Sequence, residues 1–145
     1  TYRPPRIALA LLAGTIILWH LSPPDTVLYI SYKLIATIFI ICGFILMITA
    51  WFQFKRSNVA ICPTAETQRI ITEGAYKYSR NPMYLGILLM LLGTSFVMGT
   101  ITAMLAPTLF FLIMDKIFIP YEEEKLHLSF GDEYGHYQRA TRRWL

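Results

Sequence analysis

Charge is scarce in this sequence. Of its 145 residues only 15% are Asp, Glu, Lys or Arg and 55% are hydrophobic, whereas soluble domains average about a quarter charged and about half apolar. That balance argues against a water-soluble globule, and the surplus apolar surface has to face lipid. Cysteine is nearly missing too. Cys42 lies inside an apolar run and Cys62 in a basic stretch, without a C-x-x-C pair or zinc-ligand spacing, so neither a disulfide framework nor a metal site is indicated. Of the three histidines, His127 and His136 have no third ligand in helical register. No G-x-G-x-x-G string occurs, which argues against a dinucleotide-binding fold. Internal repeats, low-complexity tracts and a separate soluble domain are absent as well. The reading is one all-α integral membrane domain over residues 1–145.

What is present is a series of long apolar runs punctuated by basic clusters. Residues 7–21 form a run of about 15, roughly 22 Å of helix, which is short for a hydrocarbon core of about 30 Å. Pro23-Pro24 ends it, since neither proline can donate a helical hydrogen bond. Arg3 and Arg6 ahead of the run imitate a signal peptide, but Ser22-Pro23-Pro24 is a poor cleavage site and further spans follow, which favours a first transmembrane helix. Residues 34–54, about 21 in number, suffice to cross, with Lys33 and Trp51 at the two interfaces. Residues 83–114 carry no charge over about 32 positions, too long for one crossing and too short for two. They predict a helical hairpin that turns at Gly99-Thr100 and kinks near Pro107, its second helix running past Asp115-Lys116 to about residue 128.

The chain therefore divides into an N-terminal pair (1–54), a connecting loop (55–82), a hairpin (83–120) and a C-terminal segment (121–145). The net charge of +4 comes from Lys and Arg that flank the spans, not from a basic stripe with interleaved aromatics, so it speaks of topology and not of nucleic acid. With four spans and both termini cytoplasmic, the clusters at Arg3 and Arg6, from Lys55 to Arg80, and from Lys125 to Arg143 all fall on one side.

Two constellations on that face are able to carry chemistry. The string Gly74-Ala75-Tyr76-Lys77-Tyr78-Ser79-Arg80-Asn81-Pro82-Met83-Tyr84 precedes the third span. Pro82 suits the first helical position and Asn81 the N-cap, so the amides of Met83 and Tyr84 open toward the cytoplasm at the positive end of the helix. Either these amides and Arg80 seat a carboxylate or phosphate, or the helix is simply capped and Arg80 reaches lipid head groups. Tyr121-Glu122-Glu123-Glu124 leaves the fourth span. Three successive acids point in different directions round a helix, so one is directed inward while another is solvated. An inward carboxylate at the hydrocarbon boundary suits a cationic ligand, and a plain solvated charge run is the alternative. Beyond it Leu126, Phe130, Tyr134 and Tyr137 make one apolar stripe, interrupted at Gly131 as a helix C-cap with Asp132 as the next N-cap. Such an amphipathic segment lies on the membrane or folds over a site. Arg139, Arg142, Arg143 and Trp144 read as interface anchors.

Taken in order, Gly74-Ala75-Tyr76, Arg80-Asn81-Pro82-Met83-Tyr84-Leu85-Gly86, the hairpin, Glu122-Glu123, Leu126, Phe130-Gly131, Tyr134, Tyr137 and Arg143-Trp144-Leu145 resemble the isoprenylcysteine carboxyl methyltransferase family, including its bacterial members, and the related phospholipid methyltransferases. The likeness covers residues 74–145, and the first two spans match only in being apolar. It implies a methyltransferase of the bacterial inner membrane that uses S-adenosylmethionine, releases S-adenosylhomocysteine, and binds the cofactor between the start of the third span and the segment after the fourth. On this resemblance Tyr78, Arg80, Asn81, Tyr84 and Gly86 line one cofactor wall and Glu122, Glu123 and Tyr137 the other. Arg80, Glu123 and Arg142 are the residues placed at the reacting groups.

The implied acceptor is a lipid-like or small hydrophobic carboxylate, amine or thiol. Eukaryotic members carry His where this chain has Asn81. A neutral amide can cap the helix and bond a ligand, but it cannot transfer a proton. A non-enzymatic four-helix membrane protein, such as a small transporter subunit or assembly factor, is the competing reading. Against it, a coupled transporter needs an ionisable residue near mid-membrane, and residues 34–54 and 83–114 contain no charged one.

Overall fold

A computed structural model describes residues 4–21, 33–56 and 70–145, and every regular element among them is a helix. They are α1 (Pro4–Leu21), α2 (Lys33–Arg56), a short 3₁₀ turn (Gly74–Lys77), α3 (Pro82–Met98), α4 (Ile101–Phe130) and α5 (Asp132–Ala140). Three of these, α1, α2 and α4, are long and apolar enough to cross a membrane, whereas α3 is apolar but only 17 residues long. The turn expected at Pro23-Pro24, together with Arg3, Cys62 and Arg69, lies outside the described residues.

Small residues decide how the helices meet. Ala36, Gly43 and Ala50 are the buried positions of α2 and recur every seven residues, as do Gly86 and Gly93 on α3. A repeat of seven keeps one seam facing the partner helix, and small side chains along it let the two backbones touch, which is how helices associate in lipid where apolar burial gives no advantage. The approach is close: a Cβ added to Gly43 would lie 2.6 Å from the Gly86 carbonyl oxygen, and one added to Gly86 would lie 2.7 Å from the Gly43 oxygen. The outer face of α2, including Ile38, Ile41, Phe44 and Ile45, is exposed and is the surface that lipid covers.

The far end of α3 closes at Gly99, whose left-handed φ of 65° is one that L side chains rarely adopt, and α4 begins at once as a 3₁₀ turn over Ile101–Met104. Pro107, the expected kink position, lies within an α-helical stretch over Leu105–Ile113. Pro107 lacks the N–H that would bond the carbonyl of Ala103, and the buried Ser95 hydroxyl of α3 donates to that oxygen instead, at 2.7 Å. A departure from α geometry comes further on, where Met114–Phe118 forms a π-helical turn in which the N–H of Ile119 bonds the oxygen of Met114, five residues back. Pro120 follows directly; it has no N–H for the carbonyl of Lys116 and its ring crowds that group, a conflict that a widened turn relieves.

Around this frame α1 packs its Ala8 face against Ile87, Leu91, Phe110 and Met114 of α3 and α4. At the other extreme, the 3₁₀ turn is tied to the end of α2 by Ala75, whose N–H donates to Gln53 Oε1 at 3.1 Å. Lysine ammoniums sit over aromatic rings at this same end: Lys55 over Trp51, Lys77 over Tyr78 and Lys125 over Tyr121. Rings and cations of this kind favour the head-group level of a bilayer.

The helix seam yields a direct test. Gly86→Val should force α2 and α3 apart and destabilise the protein by about 1–3 kcal/mol or more, while Gly14→Ala, which meets nothing within 4 Å, should leave the detergent-solubilised melting temperature unchanged. Equal melting of both variants would refute the packing described.

Candidate functional site

At the interfacial end, the start of α3, the lower half of α4, α5 and residues 141–145 converge on one carboxylate. Glu123 is buried, Glu122 is half-buried and Glu124 is exposed, the fan that three consecutive helical positions produce. Arg80 Nη2 meets Glu123 Oε1 at 3.1 Å, with both side chains about nine-tenths buried (9% and 10% exposed). Arg143 reaches the same carboxylate with two nitrogens, Nη2 to Oε2 at 2.8 Å and Nε to Oε1 at 3.4 Å. A charge this far from water persists only when paired and hydrogen-bonded. The bonds to Glu123 and Asp115 outweigh desolvation and push the Arg143 guanidinium above its ordinary value, keeping it cationic.

The π turn sets the register of the acids. In an unbroken α-helix Asp115 would fall about 20° from Glu122 and about 80° from Glu123. The extra residue in the wide turn takes up most of that angle, and Arg143 Nη1 bridges to Asp115 Oδ1 at 3.3 Å while its other nitrogens hold Glu123. Asp115 also accepts the indole N–H of Trp144 at 3.0 Å and pairs with the exposed Lys116.

Backbone contacts fasten the chain end to the stretch carrying Arg80. The Arg80 N–H donates to the Arg142 carbonyl at 3.0 Å, and the Asn81 side-chain amide donates to the Arg143 carbonyl at 3.1 Å. Asn81 is the N-cap of α3 and Pro82 its first residue, but the Asn81 side chain makes no capping hydrogen bond. The expected side-chain cap is given up for the chain terminus.

Tyr84 and Glu122 form a second pair beside the first, with the phenol donating to Glu122 Oε1 at 2.7 Å. Tyr137 donates to the Tyr76 carbonyl at 2.6 Å, and with Tyr134 and Ile70 it forms a small core to which Leu126 and Phe130 contribute. The amphipathic stripe thus packs onto the stretch that carries Ile70 and Tyr76. Its junction differs from the expected one in detail, since Gly131 closes α4 and also precedes α5, leaving Asp132 as the first helical residue. Burial pushes the hydroxyls of Tyr76, Tyr134 and Tyr137 above the phenol range. All three stay protonated, so none is suited to act as a base; Tyr137 donates to the Tyr76 carbonyl, and the Tyr134 hydroxyl accepts from Arg80.

The cluster collects Arg80, Asn81, Tyr84, Glu122 and Glu123, while three other expected residues stand elsewhere. Tyr78 is 70% exposed, with Lys77 over its ring. Gly86 is built into the crossing with Gly43, where its missing side chain serves helix contact. The Arg142 side chain is exposed and only its carbonyl takes part, so the terminal arginine in the cluster is Arg143. Asp115 has no place in the sequence-based site, and Tyr134 enters it only as part of the apolar stripe. A lone acid in an apolar run was a usable signal for Asp115, but its alignment with Glu123 depends on a π turn that no residue period announces.

One nitrogen of Arg80 pairs with Glu123 and the guanidinium also lies against the Tyr134 hydroxyl, while Nε and Nη1 are buried without a well-formed hydrogen bond. Unsatisfied guanidinium donors are costly, and an anion is their natural complement.

Comparison with known proteins agrees with the family resemblance. The sequence profile of the phospholipid methyltransferase family matches residues 32–133, and the chain belongs to that family. The match takes in α2 as well as the residues from Gly74 onward. An uncharacterized protein of Haemophilus influenzae is 41% identical over 63 residues, 43% of this chain and all of that protein. The protein-S-isoprenylcysteine O-methyltransferase of Schizosaccharomyces pombe is 32% identical over 88 residues, 59% of this chain and 36% of the enzyme; the shared stretch is therefore about a third of that enzyme's length. No solved structure matches significantly. Family and relative together point to a membrane methyltransferase.

Removing the central charge should be expensive. Glu123→Gln leaves two guanidiniums facing a neutral amide and should cost about 3–5 kcal/mol of stability, whereas Glu124→Gln on the exposed side should stay within about 0.5 kcal/mol. Thermal unfolding in detergent measures both, and a mild Glu123→Gln variant would contradict the cluster.

Proposed function

We propose that this protein transfers a methyl group from S-adenosylmethionine to a lipid-like or small hydrophobic acceptor, at a site on the cytoplasmic face of a four-span membrane domain. The observation that carries the reading is Arg80: a guanidinium about nine-tenths buried, with two nitrogens unpartnered. The cofactor offers a carboxylate for those donors and an ammonium for a carboxylate, and both complements lie within one cluster. Glu123 is taken up by two arginines, so Glu122, which accepts from Tyr84, is the acid better placed for the ammonium or the ribose hydroxyls. Asn81 adds a neutral amide at the helix start.

When bound, S-adenosylmethionine supplies a methyl group on a positively charged sulfur. The rest is orientation and exclusion of water. Arg80 and Glu122 would hold the amino-acid end, and the Tyr134–Tyr137 stripe of α5 packs beside them. A carboxylate acceptor arrives ionised and requires no base. An amine or thiol would have to lose its proton to a base, a demand that a carboxylate acceptor avoids. An acceptor dissolved in the bilayer reaches the cluster laterally, because the surrounding helices present apolar faces.

Calorimetry of the purified protein with S-adenosylhomocysteine tests the reading: binding should be measurable and Arg80→Ala should weaken it at least tenfold. No binding at millimolar ligand would overturn it. Incubating membranes with methyl-labelled S-adenosylmethionine, then separating lipid, protein and volatile fractions, identifies the acceptor class; label is expected in the lipid or small-molecule fraction, and no transfer to any fraction would contradict the activity.

A further inference from the structure

We propose that Arg143 is a positioning residue that keeps Arg80 open for an anion, and so confers selectivity for a ligand bearing a carboxylate. The inference rests on the cofactor reading above and assigns a role to a residue beyond the family match, which ends at residue 133.

The geometry is asymmetric. Arg143 takes Glu123 through two nitrogens, at 2.8 and 3.4 Å, while Arg80 touches the same carboxylate through Nη2 alone and keeps Nε and Nη1 unpartnered. A lone Arg–carboxylate pair prefers the fork arrangement in which two parallel N–H groups grip two oxygens. Arg143 already occupies both oxygens of Glu123, and this holds Arg80 to a single contact.

Arg143 is fixed at both ends. Its carbonyl accepts from Asn81 at 3.1 Å and from the Ser79 hydroxyl at 3.4 Å, beside the Arg80 N–H bond to Arg142. Its side chain is braced on Asp115 at 3.3 Å, itself bonded to Trp144. Charges follow the same logic. Asp115 is balanced by Lys116, so Arg80, Arg143 and Glu123 together carry one net positive charge, which an anion neutralises. Without Arg143, Arg80 and Glu123 close on each other as a neutral pair and the carboxylate seat is lost.

The test compares two ligands on the purified full chain: S-adenosylmethionine and its decarboxylated form, which keeps the amine and the sulfonium but lacks the carboxylate. Arg143→Met should weaken S-adenosylmethionine at least tenfold and the decarboxylated ligand less than twofold. Arg143→Lys should fall between wild type and Arg143→Met, because an ammonium restores charge without the two-point grip; should Arg143→Met fail to fold, Arg143→Lys gives the same comparison. Equal loss on both ligands, or loss on neither, overturns the positioning role. Failure of the wild-type protein to bind either ligand is a separate result, which overturns the cofactor reading and this role with it.

Discussion

A carboxylate removed from water at the edge of a membrane has to be neutralised where it stands, and Glu123 is neutralised from two directions. One guanidinium comes from the residues just before α3 and the other from the last turn of the chain. Because neither arginine lies on α4, the pairing binds three segments that are distant in sequence, and it does so where hydrogen bonds are strengthened by the low dielectric. The other contacts at this end serve that arrangement: Asn81 and Ser79 hold the terminal backbone, Asp115 and Trp144 brace the second arginine, and the tyrosines of α5 pack beside it.

The membrane-embedded part supplies rigidity. Close contact of α2 with α3 through glycines fixes the helix from which Arg80 hangs, and the Ser95 hydroxyl ties the far end of α3 to α4 by filling the carbonyl that Pro107 leaves unsatisfied. Pro120 then shapes the near end, because the wide turn before it rotates the acids of α4 by most of a residue step. Two prolines in one helix thus have different outcomes: the first is compensated by a neighbour's hydroxyl, the second by a change in helix pitch.

Much of this was legible in the residues. Apolar run lengths located the helices, Gly99 marked the turn, and the order of the Arg80-Asn81-Pro82 and Glu122-Glu123 strings carried the family resemblance. Tyr78, Gly86 and Arg142 were assigned to the site by pattern, whereas the structure gives them an exposed face, a helix crossing and a backbone contact. Periodicity places a residue on a face but does not say which of two adjacent arginines turns inward. That choice depends on Asp115, and Asp115 depends on a π turn arising from the steric demand of Pro120. The small-residue repeat of seven on α2 was present in the sequence as well, but its meaning required the matching repeat on α3.

The central claim is that the Arg80–Glu123–Arg143 cluster is the seat of the cofactor's amino-acid end. A structure of the protein with S-adenosylhomocysteine bound tests it most directly. The account predicts the ligand carboxylate within about 3 Å of Arg80 Nε or Nη1, with the ammonium on the Glu122 side. A ligand seated away from Arg80, with those two nitrogens still unpartnered, would contradict it.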